Sequence, residues 1–364
     1  MKVIFLSPVP TPYQIAFAVA MREYVEIEFW FLTSIKDSTR PLYWERPLPF
    51  YCKILPTYFR KQLLFFCPSL PKLLTDFNPD ILILHGKWNN FSWLIAYWWS
   101  LKHKKKMIMG PLEKPTKQNW LKEALRKVLY HKIDAYLCVG YASLDYYSTI
   151  KEKEKVYLFS YAADLEREFL HDLRTPTNEI TFLHSGSINH RFRVTEIVKT
   201  FKKVSELYSN IKLVLSGTGP LVEECKSIIE SSPLLSSRVS WIITESWEEV
   251  QDLYNQADIL ISYPTYAGWG LTIPEAMASG MGIIAGIYVE AARDMVINGY
   301  NGYLVRDNIE LERAMISYIL EPEKIQDHGK INKKIAGKEG VSEKAKDLYQ
   351  ILDRTQTKIN KIRV

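Results

Sequence analysis

Between residues 263 and 282 the chain reads YPTYAGWGLTIPEAMASGMG. An apolar run ends at Tyr263, and a loop with Pro264 carries Gly268 and Gly270 into a helix-favouring segment with Glu275, Ala276, Met277 and Ala278. Glycine permits positive φ and lets a ligand approach the backbone closely. A helix beginning near Leu271 leaves N–H groups without intrahelical acceptors, and such an end binds phosphate. Glu275 then stands one turn in, within reach of the hydroxyls of a bound ribose. The same residues equally describe a tightly packed loop followed by an acid placed at a favourable helix dipole. The segment alone does not choose.

Other residues capable of chemistry are less ordered. His85, His103, His131, His184 and His190 are scattered without ligand spacing and read as structural or exposed, although His190 flanks Arg191. Cys52, Cys67, Cys138 and Cys225 contain no CxxC pair, so neither a zinc ribbon nor a disulfide framework is indicated. A reducing cytoplasm fits that usage. The GTG at 217–219 is not a dinucleotide fingerprint, because the first strand is followed by SPVPTPYQ rather than a Gly-x-Gly-x-x-Gly turn. KHKKK at 102–106 reads as a solvated corner or a membrane-surface contact, not a nucleic-acid patch.

The elements that must position these residues alternate. MKVIFLSP, IEFWFLT, DILILHG, KMIMG, DAYLCVG and KVYLFSYAAD are strand-like runs of the first half, several separated by helical stretches such as 119–132. ITFLHSGS, IKLVLSGTG, RVSWIIT, ADILISY and GIIAG repeat the pattern later, with amphipathic segments at 194–208, 220–231, 247–256 and 271–280. Such alternation predicts βαβ units and parallel sheets covered on both faces. The expected division is an N-terminal Rossmann-like domain over 1–164, a linker over 165–178, a second domain over 179–340, and a helical tail over 341–364 that packs back toward the first. In parallel sheets, ligands bind beyond the carboxyl ends of the strands. Two such domains are therefore expected to face each other across a ligand-binding cleft.

The 364 residues are 47% hydrophobic and 24% charged, which excludes a disordered or collagenous chain. The apolar run after Lys2 is only Val3–Leu6 before Pro8, so no signal peptide is expected. No run approaches the roughly 18 apolar residues of a spanning helix. Charge is uneven. Residues 1–160 hold 23 Lys+Arg against 13 Asp+Glu, and the remainder 24 against 28. A basic first half implies an anionic partner. Lys122, Arg126, Lys127 and Lys132 lie beside Trp120, Leu121 and Leu125, and YFRKQLLFF spans 58–66. These suggest an anionic membrane surface.

At the level of motif, GWGLTIPEAMASG resembles the signature of retaining nucleotide-sugar glycosyltransferases of glycosyltransferase family four, which have the GT-B fold. Gly268, Gly270, Leu271, Glu275, Ala276, Met277, Ala278 and Gly280 match in one register. GSINHRFRV (186–194) resembles the family's donor-diphosphate loop, IKLVLSGTGP its strand ending in Gly-x-Gly-Pro, and NGYNGYLV its Asp-Gly-x-Asn-Gly-x-Leu-Val. MKVIFLSPVPTPYQIAF resembles a subgroup whose first loop is Pro-Thr-Pro-Tyr, and LILHGKWNNFSWLIA and VGYASLDYY fit it as well. The resemblance implies donor-binding roles for Gly186, Ser187, Arg191, Arg193, Gly217, Gly268, Trp269, Gly270, Leu271, Thr272 and Glu275. It implies acceptor-side roles for Tyr13, Gln14, Trp88 and Asn89, and catalytic roles for Arg191, Glu275 and Glu113, the acid in the stretch MGPLEKP.

The resemblance has gaps. Eight residues before Glu275 the family carries a sugar-side acid, and here stands Ala267. Phe192 falls on the family's lysine, Arg193 on its glycine and Gly282 on its proline. The implied reaction moves a sugar, with retention, from a nucleoside diphosphate to a glycan or lipid-linked acceptor on the cytoplasmic membrane face. It implies no metal and no other cofactor. The rival readings are a non-catalytic relative that binds nucleotide or a partner glycosyltransferase, and a GT-B nucleotide-sugar epimerase.

Overall fold

The computed structural model describes residues 1–38, 40–61, 64–86, 88–115, 120–165, 169, 173 and 179–357. The chain divides into two compact units. The first is Met1–Ala163 together with the chain from Val341 on, and the second is Asp164–Gly340. Most of the expected linker at 165–178, and residues 358–364 of the expected tail, lie outside the described residues.

In the first unit the strands are β1 (Lys2–Ser7), β2 (Glu26–Phe31), β3 (Cys52–Ile54), β4 (Phe59–Lys61), β5 (Leu64–Phe66), β6 (Ile81–Leu84), β7 (Lys106–Leu112), β8 (Ala135–Cys138) and β9 (Val156–Leu158). Seven form one sheet in the order β3-β2-β1-β6-β7-β8-β9, and β4 and β5 form a separate antiparallel hairpin. All neighbours in the seven-stranded sheet run parallel. The central strands β1, β6, β7 and β8 are largely apolar beyond Lys2 and Lys106 at their starts because both faces are covered, whereas β2 and β3 toward the edge carry Glu26, Glu28 and Lys53. Trp30, Trp93, Tyr97 and Tyr136 fill one face. Phe5, Phe29, Phe17 and Ile83 fill the other, where Leu348, Ile351 and Leu352 of the C-terminal helix Val341–Thr357 join them.

The second unit has β10 (Ile180–Ser185), β11 (Ile211–Ser216), β12 (Val239–Ile242), β13 (Ile259–Ser262), β14 (Gly282–Gly286) and β15 (Tyr303–Val305). Their order is β12-β11-β10-β13-β14-β15, all parallel. The chain builds outward from β10 and then returns to its other side at β13. That reversal opens a crevice at the carboxyl edge, between the loops that follow β10 and β13. The same reversal occurs in the first unit between β1 and β6. Both candidate sites lie at these two points.

Among the described residues, no helix is long and apolar enough to cross a membrane.

Candidate functional site

In the second unit the loop after β10 runs from Gly186 to Arg193. It is laced to the loop after β11: Gly186 N–H donates to the Ser216 carbonyl at 2.9 Å, and Ile188 N–H to that of Thr218 at 2.9 Å. Gly217 makes this possible. A Cβ there would lie 1.9 Å from the Gly186 carbonyl oxygen, and its φ is +137°. The loop then forms a short 3₁₀ turn, His190–Phe192, in which the Phe192 N–H donates to the Asn189 side chain. Arg193 takes a left-handed conformation, φ 51°, and leads into the helix Val194–Leu207.

Across the crevice, the loop after β13 is tied to the first. Thr265 N–H donates to the Arg191 carbonyl at 2.7 Å, and Arg191 Nε donates to the Tyr266 carbonyl at 3.0 Å. The Arg191 guanidinium lies 4.8 Å over the Tyr266 ring and 4.9 Å over that of Phe192, yet the residue stays exposed. Among the described residues its outer nitrogens make no hydrogen bond. Arg193 is half-buried, with its guanidinium 4.8 Å over the Tyr263 ring. Burial pushes the Tyr263 hydroxyl upward in pKa, and Arg193 opposes that. The second cation is therefore held deeper than the first.

The glycine-containing stretch is stitched to the loop after β14. Ala267 N–H donates to the Tyr288 carbonyl, Glu290 N–H to that of Gly268, and Ala291 N–H to that of Trp269, at 3.0, 3.2 and 2.9 Å. Trp269 is buried as a wall. Gly270 has φ +84°, which a residue with a side chain rarely adopts. The helix that follows, Thr272–Ala278, is short, and Pro274 removes one N–H from its first turn. Ile273 N–H is spent on Gly270 O and Glu275 N–H on Leu271 O. The amides of Leu271 and Thr272 remain as donors at that end. Glu275 is buried at 7% exposure, and the Tyr254 hydroxyl donates to its Oε2 at 3.2 Å. At the far end Asn332 donates to the Met281 carbonyl at 2.9 Å, which fixes where this helix stops. Ser187 and His190 lie exposed on the loop after β10.

In the first unit the carboxyl edge at the β1–β6 reversal gathers Ser7, Gln14, His85 and Tyr13. Gln14 Nε2 donates to Ser7 Oγ at 2.7 Å and toward His85 Nδ1 at 3.1 Å, with Ser7 Oγ 3.0 Å from the same nitrogen. Nδ1 thus accepts, and the neutral ring carries its proton on Nε2. Burial, with Arg40 nearby, pushes the His85 pKa down to about 4. Tyr161 joins the group, its ring 5.9 Å from Tyr13 and 6.0 Å from His85. Burial raises the pKa of the Tyr13 hydroxyl; Glu113 adds to the rise, and Arg40 opposes it. Glu113 itself is exposed just past β7, and its carbonyl accepts from Tyr147 at 3.4 Å. Asn89 is exposed, whereas Trp88 packs against the core.

The sequence passes over Ser7 and treats His85 as one of several scattered histidines. The signal is positional: both end neighbouring strands where the strand order reverses. Alternation along the chain does not reveal that order.

Residues 166–335 match the family model of the glycosyl transferases group 1. Over 147 residues the chain is 29% identical to an uncharacterized glycosyltransferase of Methanocaldococcus jannaschii, covering 39% of this chain and 36% of that protein. Over 123 residues it is 31% identical to the poly(glycerol-phosphate) alpha-glucosyltransferase of Bacillus subtilis, covering 33% and 18%. The matched stretches thus span well under half of these relatives. HepE of Anabaena, solved in complex with UDP, superposes with a TM-score of 0.75 at 14% identity, covering 97% of this chain and all of that one. The fold is that of the GT-B glycosyltransferases.

Proposed function

We propose, from the match of residues 166–335 to glycosyl transferases group 1, that the chain is a retaining glycosyltransferase using a nucleoside-diphosphate sugar. The observation that carries this reading is the buried Glu275, fixed by Tyr254 one turn beyond a glycine-containing loop. A buried carboxylate is retained where it has partners. A ribose supplies two hydroxyl donors to such a group. The structural neighbour solved with UDP supports a nucleotide-sugar donor.

In this reading the diphosphate lies along the crevice between the loops after β10 and β13. As the glycosidic bond breaks, the sugar becomes oxocarbenium-like and negative charge gathers on the leaving diphosphate. Arg191, already anchored through Nε, meets that charge with its forked outer nitrogens, and the Leu271 and Thr272 amides add aligned dipoles. Arg193 stands closer to Tyr263 and supplies longer-range field. No metal is needed to balance the diphosphate here. The leaving phosphate takes the acceptor's proton, so no enzymic nucleophile is required. In the first unit, His85 presents Nε2–H to a sugar hydroxyl, with Tyr13, Gln14 and Glu113 around it. The acceptor in this reading is a glycan or a lipid-linked acceptor at the cytoplasmic face of a membrane.

A second reading, a nucleotide-binding relative without transferase activity, is favoured by Ala267 and Phe192, which stand where the family has an acid and a lysine. One experiment separates the two. A panel of nucleoside-diphosphate sugars is incubated with and without lipid-linked and soluble glycan acceptors, and nucleotide release is measured. Acceptor-dependent release is the expected result. Nucleotide binding without release under any pairing supports the second reading.

A further inference from the structure

The helix Trp120–His131 exposes the face that a surface helix ordinarily buries. Leu125 is 48% exposed, Val128 69% and Trp120 76%, and Leu121 is exposed as well. Leu121, Leu125 and Val128 are spaced i, i+4 and i+7, so they form one stripe. The inward side is mixed: Tyr130 is buried in the core and Leu129 packs against it, and beside them lie polar groups. Arg126 pairs with Glu123 at 2.5 Å and donates to the Tyr146 hydroxyl at 2.7 Å, and Tyr146 in turn donates to Glu123. Arg126 is therefore not one of the surface cations expected from the sequence. The neighbouring helix Phe91–Lys102 lies alongside, with the Tyr97 hydroxyl donating to the Leu129 carbonyl at 2.9 Å. Its Trp98 is 59% exposed. Exposed Lys122, Lys127 and Lys132 lie on or just past this helix, and exposed Lys102 and Lys104 lie at the end of the neighbouring one. The one acid between residues 120 and 132, Glu123, is already paired.

We propose that this face is a docking surface for an anionic lipid bilayer, with Leu125, Val128, Trp120 and Trp98 entering the headgroup boundary and the lysines meeting lipid phosphates. Aliphatic and indole groups beside lysines match a surface that is apolar within and negative at its rim. A second copy of the chain is a poorer occupant, since a two-fold contact through this face brings like charges together. The inference deepens the reading of a membrane-delivered acceptor, and rests on that reading for the acceptor's identity but not for binding itself.

The test is flotation of the full chain with vesicles of phosphatidylcholine, with and without phosphatidylglycerol, at low and high salt. Binding is expected only with the anionic lipid, and it weakens with salt. Lys122→Gln/Lys127→Gln lowers the partition coefficient roughly 25-fold, about five-fold per cation. Leu125→Ser/Val128→Ser abolishes binding while leaving the thermal midpoint unchanged, because both side chains are exposed. A parent chain that ignores anionic vesicles overturns the proposal. So does an apolar variant that still binds, or a parent dimer that this variant converts to monomer without any vesicle binding. Donor turnover with a soluble acceptor is measured in parallel. Vesicle binding without turnover leaves the docking surface standing and defeats only the transferase reading.

Discussion

The amide of Thr265 donates to the carbonyl of Arg191 at 2.7 Å, and this bond joins the loop after β13 to the loop after β10. It sets the width of the crevice at the strand reversal. It also aims a guanidinium whose Nε is fixed to Tyr266 and whose plane is held between two rings. A side chain held in this way reorganises little when charge develops beside it.

Arg191→Ala is expected to lower turnover on the order of 10²-fold with a smaller change in donor KM, since its contact strengthens as the diphosphate leaves. Arg191→Lys restores little, because an ammonium lacks the forked donors and the stacking plane. Arg193→Ala costs less, as its guanidinium is committed to Tyr263. Steady-state kinetics on the three variants checks this; an Arg193 loss larger than the Arg191 loss reverses the assignment.

Gly217→Ala is expected to destabilise the second unit by at least about 2 kcal/mol and to abolish nucleotide binding. The new methyl would sit 1.9 Å from the Gly186 carbonyl oxygen and push the loop after β10 aside. Chemical denaturation reads the first effect and calorimetry the second. A variant as stable as the parent means that the two loops are not locked together.

Acid weakens the fold in a defined window. His184 is buried, and its Nδ1–H donates to the Ile261 carbonyl. Burial pushes its pKa from 6.5 down to about 4, and His85 is shifted the same way. Between those values the unfolded chain binds protons that the folded chain does not, so stability rises with pH. Stability is expected to be level above about pH 6.5, to fall as pH drops toward 4, and to level again below. Denaturation midpoints across that range test it. His184→Gln should make the decline shallower, and an unchanged slope in the variant removes His184 from the account.

Ala267→Glu is expected to leave nucleotide affinity nearly unchanged and to alter the preference among donor sugars. The residue stands where the family has its sugar-side acid, and its amide is fixed to Tyr288, so the new side chain has a defined root. Glu290 also belongs to this stitched backbone, its amide donating to the Gly268 carbonyl at 3.2 Å. Competition between donor sugars in the same reaction measures the change. A fall in affinity for the bare nucleotide would place Ala267 near the base or ribose instead.

What the sequence makes legible follows from which forces are local. The central strands β1, β6, β10 and β13 are largely apolar because both faces are covered, so they can be read directly. The glycine-containing loop and Glu275 share one short segment and are visible for the same reason. The cluster of Ser7, Gln14 and His85 is not, because β1 and β6 are 78 residues apart between Ser7 and His85 and only the strand order brings them together. The helix Trp120–His131 misleads for another reason. Its apolar and charged residues fit either orientation, and the pairing of Glu123 and Arg126 with Tyr146, on a different helix, turns the apolar stripe outward.

The donor site proposed for the second unit depends on Glu275 holding the ribose of a nucleoside diphosphate. Titrating UDP into the parent and into Glu275→Ala by calorimetry tests it most directly, since neither sugar nor acceptor is needed. Losing one charged hydrogen bond costs about 1.5–3 kcal/mol, roughly 10- to 150-fold in affinity. The parent is expected to bind and the variant to bind more weakly by that factor, with a cooperative melt in the absence of nucleotide showing that the variant is folded even though the Tyr254 hydroxyl has lost its partner. A variant that binds UDP as tightly as the parent contradicts the ribose assignment, and with it the donor site proposed for this unit.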